Sequence, residues 1–123
     1  MRIVALLGCL LCSAARADAL TLHQYLDMTQ SSTKDEQALL NAYLVGLGEG
    51  FLWAEIHLSN THGIRLYCQP DSRVLTEKDY REILERQIHN AKNAQFLQEA
   101  SERNIIGMLL LTGLRETFPC KTP

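Results

Sequence analysis

The chain has 123 residues, 46% of them hydrophobic, with 12 Lys and Arg against 14 Asp and Glu and a formal charge of −2. That length supports one domain around one modest core. A mildly acidic balance with no basic stripe argues against nucleic acid as a partner, and no low-complexity tract or solenoid-spaced repeat is present.

The N-terminus reads as an export signal. Met1 and Arg2 give a positive start, an apolar run from Ile3 to Leu11 follows, and small residues close it at Ser13, Ala14, Ala15, Ala17 and Ala19. Ala15-Arg16-Ala17 and Ala17-Asp18-Ala19 both fit the small-x-small cleavage pattern. The run is too short for a bilayer, which needs about 20 apolar residues, and the sequence up to Cys9 is too brief for a lipoprotein signal. Cleavage after Ala17, or alternatively after Ala19, leaves a single domain over residues 18–123. Loss of Arg2 and Arg16 leaves 10 basic against 14 acidic residues, a net charge of −4. That sign admits a basic protein partner, though a charge this small acts mainly on solubility.

The remaining chain reads as all-α. Leu20 to Leu26 forms a short first helix, with Leu22, Tyr25 and Leu26 on one face. Ser31-Ser32-Thr33 breaks it, and Thr33 followed by Glu36 predicts a capping box. A long second helix then runs from Lys34 to about Ser59, ended by Asn60 and Gly63. Along it Leu39, Tyr43, Gly46 and Gly50 recur at helical spacing. Two glycines cost an exposed helix about 1 kcal/mol each relative to alanine, so Gly46 and Gly50 predict a close approach of another helix. An intramolecular crossing is the expected form, and a homodimer face is the other. Glu49 and Glu55 in the same segment argue against a membrane role for the glycine pair.

Residues 64–75 read as a loop holding Cys68, Pro70 and Asp71. Thr76 caps a third helix, Asp79 reaches back to it, and Leu75 and Tyr80 stand where a hydrophobic staple would. Tyr80, Ile83, Leu84, Gln87 and Ile88 mark its buried face. The polar stretch Asn90 to Gln95 is either a loop or a solvated helical turn. A last helix from about Gln98 to Thr117 carries a broad apolar face over Ile105, Ile106, Leu109, Leu110, Gly113 and Leu114, the pattern of a central helix. Pro119 stops it. The expected architecture is a compact bundle of about four helices.

Of four cysteines, Cys9 and Cys12 fall inside the export signal. A small exported domain left with Cys68 and Cys120 is expected to join them. The bond would tie the C-terminal tail to the mid-chain loop, and the chain-entropy relation assigns roughly 4 kcal/mol to a loop of that size. Oxidised, neither sulfur is a nucleophile or a metal ligand.

Little else points to chemistry. The histidines are His23, His57, His62 and His89. His57 and His62 are five apart, whereas a helical metal pair needs four, so no metal site or cofactor is expected. Glu49 and Glu55 could in principle serve glycoside hydrolysis, but nothing places a cleft between them, and solvated positions are expected for both. No nucleophile elbow, phosphate loop or dinucleotide fingerprint occurs. The special residues are caps, glycines, a stop proline and a cysteine pair, which points to a binding protein with no catalytic residues.

The order of these features resembles the Tai-type immunity proteins of bacterial type VI secretion. The matching pieces are Tyr43 with Gly46 and Gly50, then Tyr67-Cys68-Gln69-Pro70, Leu75-Thr76, and Leu114-Arg115-Glu116-Thr117-Phe118-Pro119-Cys120. Together they span roughly residues 38–120. The resemblance implies a periplasmic all-helical homodimer that binds a cell-wall amidase and blocks its active-site cleft, with a protruding loop entering the groove. Asn90, Lys92, Asn93 and Gln95 are the first candidates for that loop, and the Cys68 loop is the second. Tyr43, Gly46 and Gly50 are the candidates for helix packing or the dimer. Relatives often carry a further cysteine in the glycine-bearing helix; this chain has none there, so a second disulfide is not expected. Two other readings remain open. An acid-stress chaperone of the periplasm would expose apolar surface at low pH. A small wall hydrolase would turn over peptidoglycan and lose that activity on Glu49→Gln.

Overall fold

In the computed structural model, which describes residues 19–121, the chain forms α1 (Leu22–Thr29), α2 (Lys34–His62), α3 (Glu77–Ile88), a 3₁₀ turn (Ala91–Asn93), α4 (Ala94–Glu99) and α5 (Ile106–Thr117). The expected export signal lies outside the described residues, among which there is no strand. The all-α bundle tied by a Cys68–Cys120 disulfide is therefore what the chain forms.

α1 and α3 start where a side chain can take their orphan amides. Thr21 caps α1: its Oγ1 accepts from Gln24 N at 3.1 Å while Gln24 Oε1 accepts from Thr21 N at 2.9 Å. The reciprocal pair moves the start to Leu22, two residues later than periodicity alone places it. Leu22 and Tyr25 are buried as expected. Burial pushes the Tyr25 phenol up to about 12, with the Glu85 carboxylate adding to the shift and Arg81 opposing it.

At the start of α2 the expected capping box is absent. Thr33 caps with its backbone alone, and its N–H donates to Ser31 Oγ at 3.1 Å. Gln37 takes over the local bonding: its Nε2 donates to Met28 O at 2.8 Å and Ser31 O at 3.0 Å, closing the end of α1. The far end of α2 stops at Gly63, whose φ of 66° is the left-handed conformation that glycine adopts without strain.

The buried stripe of α2 differs from the expected one. Leu40, Leu44, Gly48 and Glu55 face inward, whereas Leu39 is 64% exposed and Gly46 and Gly50 meet no atom within 4 Å of an added Cβ. The predicted intramolecular crossing at Gly46 and Gly50 is thus incorrect. Both sides of α2 are rich in small and apolar residues, so periodicity offered two stripes one position apart, and packing selected the other. Tyr43 is partly buried against the core. The glycines that do accept a neighbour are Gly48, which seats the Tyr80 ring, and Gly113, where a Cβ would lie 2.5 Å from Ile83 Cγ2 and 3.1 Å from Ile83 O. Gly48→Ala should cost about 1–3 kcal/mol through overpacking, outweighing the helix-propensity gain. Gly50→Ala should instead raise stability by up to about 1 kcal/mol. Urea unfolding of the two variants checks the contrast, and equal effects would remove the distinction.

α3 begins as predicted. Thr76 caps it, and Asp79 Oδ2 accepts from Thr76 N and Thr76 Oγ1, both at 2.8 Å. These two bonds hold the Asp79 carboxyl below the usual carboxylate range, with Arg73 assisting. A lowered carboxylate contributes stability at pH above its ordinary value, and that stability is lost as pH falls through the folded value. The deficit of Asp79→Asn should therefore be largest at neutral pH and shrink as pH falls through the lowered folded value; chemical denaturation at neutral and at acid pH measures it.

α3 packs against both α2 and α5, so the central role expected of the last helix is shared with α3. Leu40, Leu44, Leu84, Ile106, Leu110 and Leu114 meet there fully buried. Polar links frame the same layers. Arg81 bridges α3 to α2 through Asn41 Oδ1 at 2.5 Å, and Gln87 Nε2 reaches Glu116 of α5 at 2.6 Å.

The expected single helix from Gln98 to Thr117 is broken. α4 ends at Glu99, residues 100–105 turn, and α5 begins at Ile106. The carbonyls of Ser101 and Arg103 accept from the first amides of α1, His23 N at 2.9 Å and Leu22 N at 3.3 Å. A continuous helix would spend those carbonyls on its own ladder and leave the start of α1 unpaired.

Candidate interaction surfaces

The loop between α2 and α3 has no regular structure, so side chains must position it. Cys68 is bonded to Cys120 with Cα atoms 4.9 Å apart, and Cys68 N donates to Phe118 O at 2.8 Å. Phe118 is buried beneath the tail, with the Arg73 guanidinium 5.4 Å from its ring centre. A disulfide of this kind persists in oxidising compartments. Among the described residues no helix is long and apolar enough to cross a membrane.

The second anchor went unrecognised in the sequence. Glu55, expected to be solvated, is 5% exposed. One carboxylate oxygen accepts from Arg65 Nε, and the other accepts from the backbone amides of Leu66 and Tyr67, the latter at 3.4 Å. It staples the chain leaving Gly63 back onto α2 and drives Tyr67 into the core, where that residue is 1% exposed. Arg65, ten residues further along, was the available signal, but a distant arginine beside a loop is too common to read as a buried pair. Glu49, by contrast, is exposed as expected.

Between α2 and this loop lies a cleft of about 440 Å³. Tyr67 and Tyr80 line it, with Glu49, Gln69, Asp71, Ile56 and Val74 around them. Desolvation raises the Tyr80 phenol first, and the Glu49 and Asp79 charges add to it. Val74 is 86% exposed and Ile56 39% exposed, so the cleft opens through an apolar rim.

A second surface is the open stripe of α2. Leu39, Ala42, Gly46, Gly50 and Trp53 follow one another at three- and four-residue steps, all exposed, Trp53 at 68%. This is the face on which the structure places Gly46 and Gly50.

The third surface is the stretch after α3. The alternatives for residues 90–95 resolve into a 3₁₀ turn followed by the first turn of α4. Asn93 is not free to meet a partner: its Nδ2 donates to Gln87 O at 2.9 Å. Asn90 is also engaged, its Oδ1 accepting from Lys92 N at 3.1 Å. The side chains of Lys92 and Gln95 point outward, joined by Phe96 at 40% exposure. Gln95 Nε2 donates to Glu99 Oε1 at 3.1 Å, but Gln95 and Lys92 stay exposed while Asn90 and Asn93 are half-buried.

The histidines are peripheral. The rings of His57 and His62 meet edge to face with centres 6.5 Å apart, and His23 lies 3.3 Å from Asp27. No group of three or more potential metal ligands occurs among the described residues.

No known family model matches the chain, and neither curated proteins nor solved structures give a match.

Proposed function

We propose that this chain is an exported, non-enzymatic immunity protein of the Tai type. In the periplasm, as a homodimer, it binds a cell-wall amidase delivered by type VI secretion and covers the enzyme's active-site cleft. The observation that carries this reading is the open stripe of α2. A helix that leaves Leu39 and Trp53 in water on either side of two glycines is expected to be covered by another protein surface. The ordered sequence pieces named above supply the family.

The mechanism is steric. Such an antidote performs no chemistry; it needs a rigid surface, because less freedom is then lost on binding. The cystine and the Glu55 staple fix the long irregular segment between α2 and α3 at two points. Lys92, Gln95 and Phe96 are the side chains offered to the enzyme's groove, and the stripe of α2 is offered to a second copy.

Two measurements test this. Type VI peptidoglycan amidases, exported one at a time, should lyse cells, and co-expression of the chain should prevent lysis by one of them; lysis at an unchanged rate with every one would end the reading. Light scattering after size exclusion should give a dimer mass. Gly50→Leu should lower it to the monomer while the helical circular dichroism is retained, since no atom of the described residues lies within 4 Å of a Cβ added there.

A further inference from the structure

The cleft between α2 and the Cys68 loop carries a charge that the protomer does not match. Two arginines line it, and each has a carboxylate partner: Arg65 meets Glu55, and Arg73 NH2 lies 3.6 Å from Asp79 Oδ1. Two exposed carboxylates also line it, Glu49 on α2 and Asp71 on the loop, and neither makes an ion pair among the described residues. The unmatched charge of the cleft is negative. Around these carboxylates stand exposed aliphatic groups, Val74 and Ile56.

We infer that this cleft receives a lysine side chain presented by a protein partner. A lysine is an aliphatic stem ending in a compact ammonium with three donors and no acceptor. The rim of Val74 and Ile56 suits the stem, which lowers its free energy by lying along apolar surface. Glu49 and Asp71, both exposed on the cleft lining, suit the ammonium. A carboxylate-bearing side chain would meet the two unmatched charges with the wrong sign, and a purely aliphatic one would leave them uncompensated. This deepens the reading above, taking from it only that the partner is a protein, and it moves the site of charge recognition from the corner after α3 to the Cys68 loop.

The probe is the peptide acetyl-Leu-Lys-Leu-amide, titrated into the ¹⁵N-labelled oxidised protein and followed by amide chemical shifts. The controls replace Lys by norleucine and by Glu. The lysine peptide should shift the amides of Gln69, Asp71 and Val74 with a dissociation constant on the order of millimolar. Raising the salt from about 0.05 to 0.5 M should weaken it severalfold. The variant E49Q/D71N alters two exposed side chains, so it should fold, and it should bind at least about tenfold more weakly. Absence of shifts at about 10 mM peptide, equal shifts with the glutamate peptide, or undiminished binding by E49Q/D71N would each overturn the inference. Its fate is separable from that of the proposed function. A chain that binds the lysine peptide here but protects no cell from an amidase keeps the inference and loses the function. A chain that protects cells but ignores the peptide does the reverse.

Discussion

Glu55→Ala should be among the most destabilising single substitutions, costing about 3 kcal/mol in urea unfolding. Removing one partner of a buried pair typically costs about 3–5 kcal/mol, because a charge is left without compensation. Here the guanidinium of Arg65 is 48% exposed and recovers water, which lowers that share. The amides of Leu66 and Tyr67 do not recover it so readily: each buried donor left unpaired costs about 1–3 kcal/mol, and Tyr67 is 1% exposed. Three comparisons isolate the cause. Arg65→Ala should cost under about 1 kcal/mol, as a half-exposed pair does. Glu55→Gln keeps an acceptor and should fall between the two. Glu55→Ala should also speed amide exchange at Leu66 and Tyr67 before it affects α5, since those amides lose their acceptor directly. A Glu55→Ala protein within about 1 kcal/mol of the parent would show that the loop is held by something else.

Much of this architecture was readable because local chemistry and global packing agree. Thr76 with Asp79, the stop at Gly63, and the inward face of α3 all follow from local rules of capping and helical spacing, and nothing in the tertiary packing opposes them. The Cys68–Cys120 pairing followed from there being only two cysteines outside the expected export signal. The failures share another cause. Nothing local distinguishes Gly46 and Gly50 from Gly48; the choice is made by Tyr80, 32 residues away, whose ring needs the space over Gly48. The break after Glu99 is set by the amides of Leu22 and His23, which take carbonyls from a segment that otherwise reads as helix. Glu55 was misread for the same reason, because its partners are the amides of a loop with no regular structure. The candidate surfaces divide likewise. Lys92 and Gln95 are outward as polar residues should be, but the bonding of Asn93 to Gln87 and the meeting of Glu49 with Asp71 in one cleft depend on how α3 and the Cys68 loop are folded.

Loss of the disulfide should rival the effect at Glu55 but differ in kind. The bond spans 52 residues of sequence and closes α3, α4 and α5 into one loop. The entropy relation assigns about 4 kcal/mol to such a closure, within the roughly 2–5 kcal/mol typical of small exported domains. Cys68→Ser leaves Cys120 as an exposed thiol open to intermolecular exchange, so the double variant Cys68→Ser/Cys120→Ser and the parent protein in excess dithiothreitol are the proper comparisons, and both should show the same lowered urea midpoint. The helices should persist, because α3 and α5 stay joined through Ile83, Gly113 and Leu114 whether or not the sulfurs are linked. The tail and the outer half of the loop should loosen instead. From Gln69 to Val74 the segment has one backbone hydrogen bond of its own, Arg73 N to Pro70 O at 3.0 Å, and one from a side chain, Gln69 Nε2 to Arg73 O at 2.5 Å; otherwise it depends on Cys68, on Arg73 over Phe118 and on Arg73 beside Asp79. Reduction should therefore raise exchange at the bonded amides of this edge, Cys68 N to Phe118 O and Arg73 N to Pro70 O, by about a hundredfold or more, since about 4 kcal/mol amounts to nearly three decades in an opening equilibrium. The Glu55-held amides of Leu66 and Tyr67 should change far less. An unchanged midpoint on reduction would mean that the bond adds nothing to the fold. A uniform collapse of protection through α3 and α5 would mean that it holds the whole bundle rather than one edge of it.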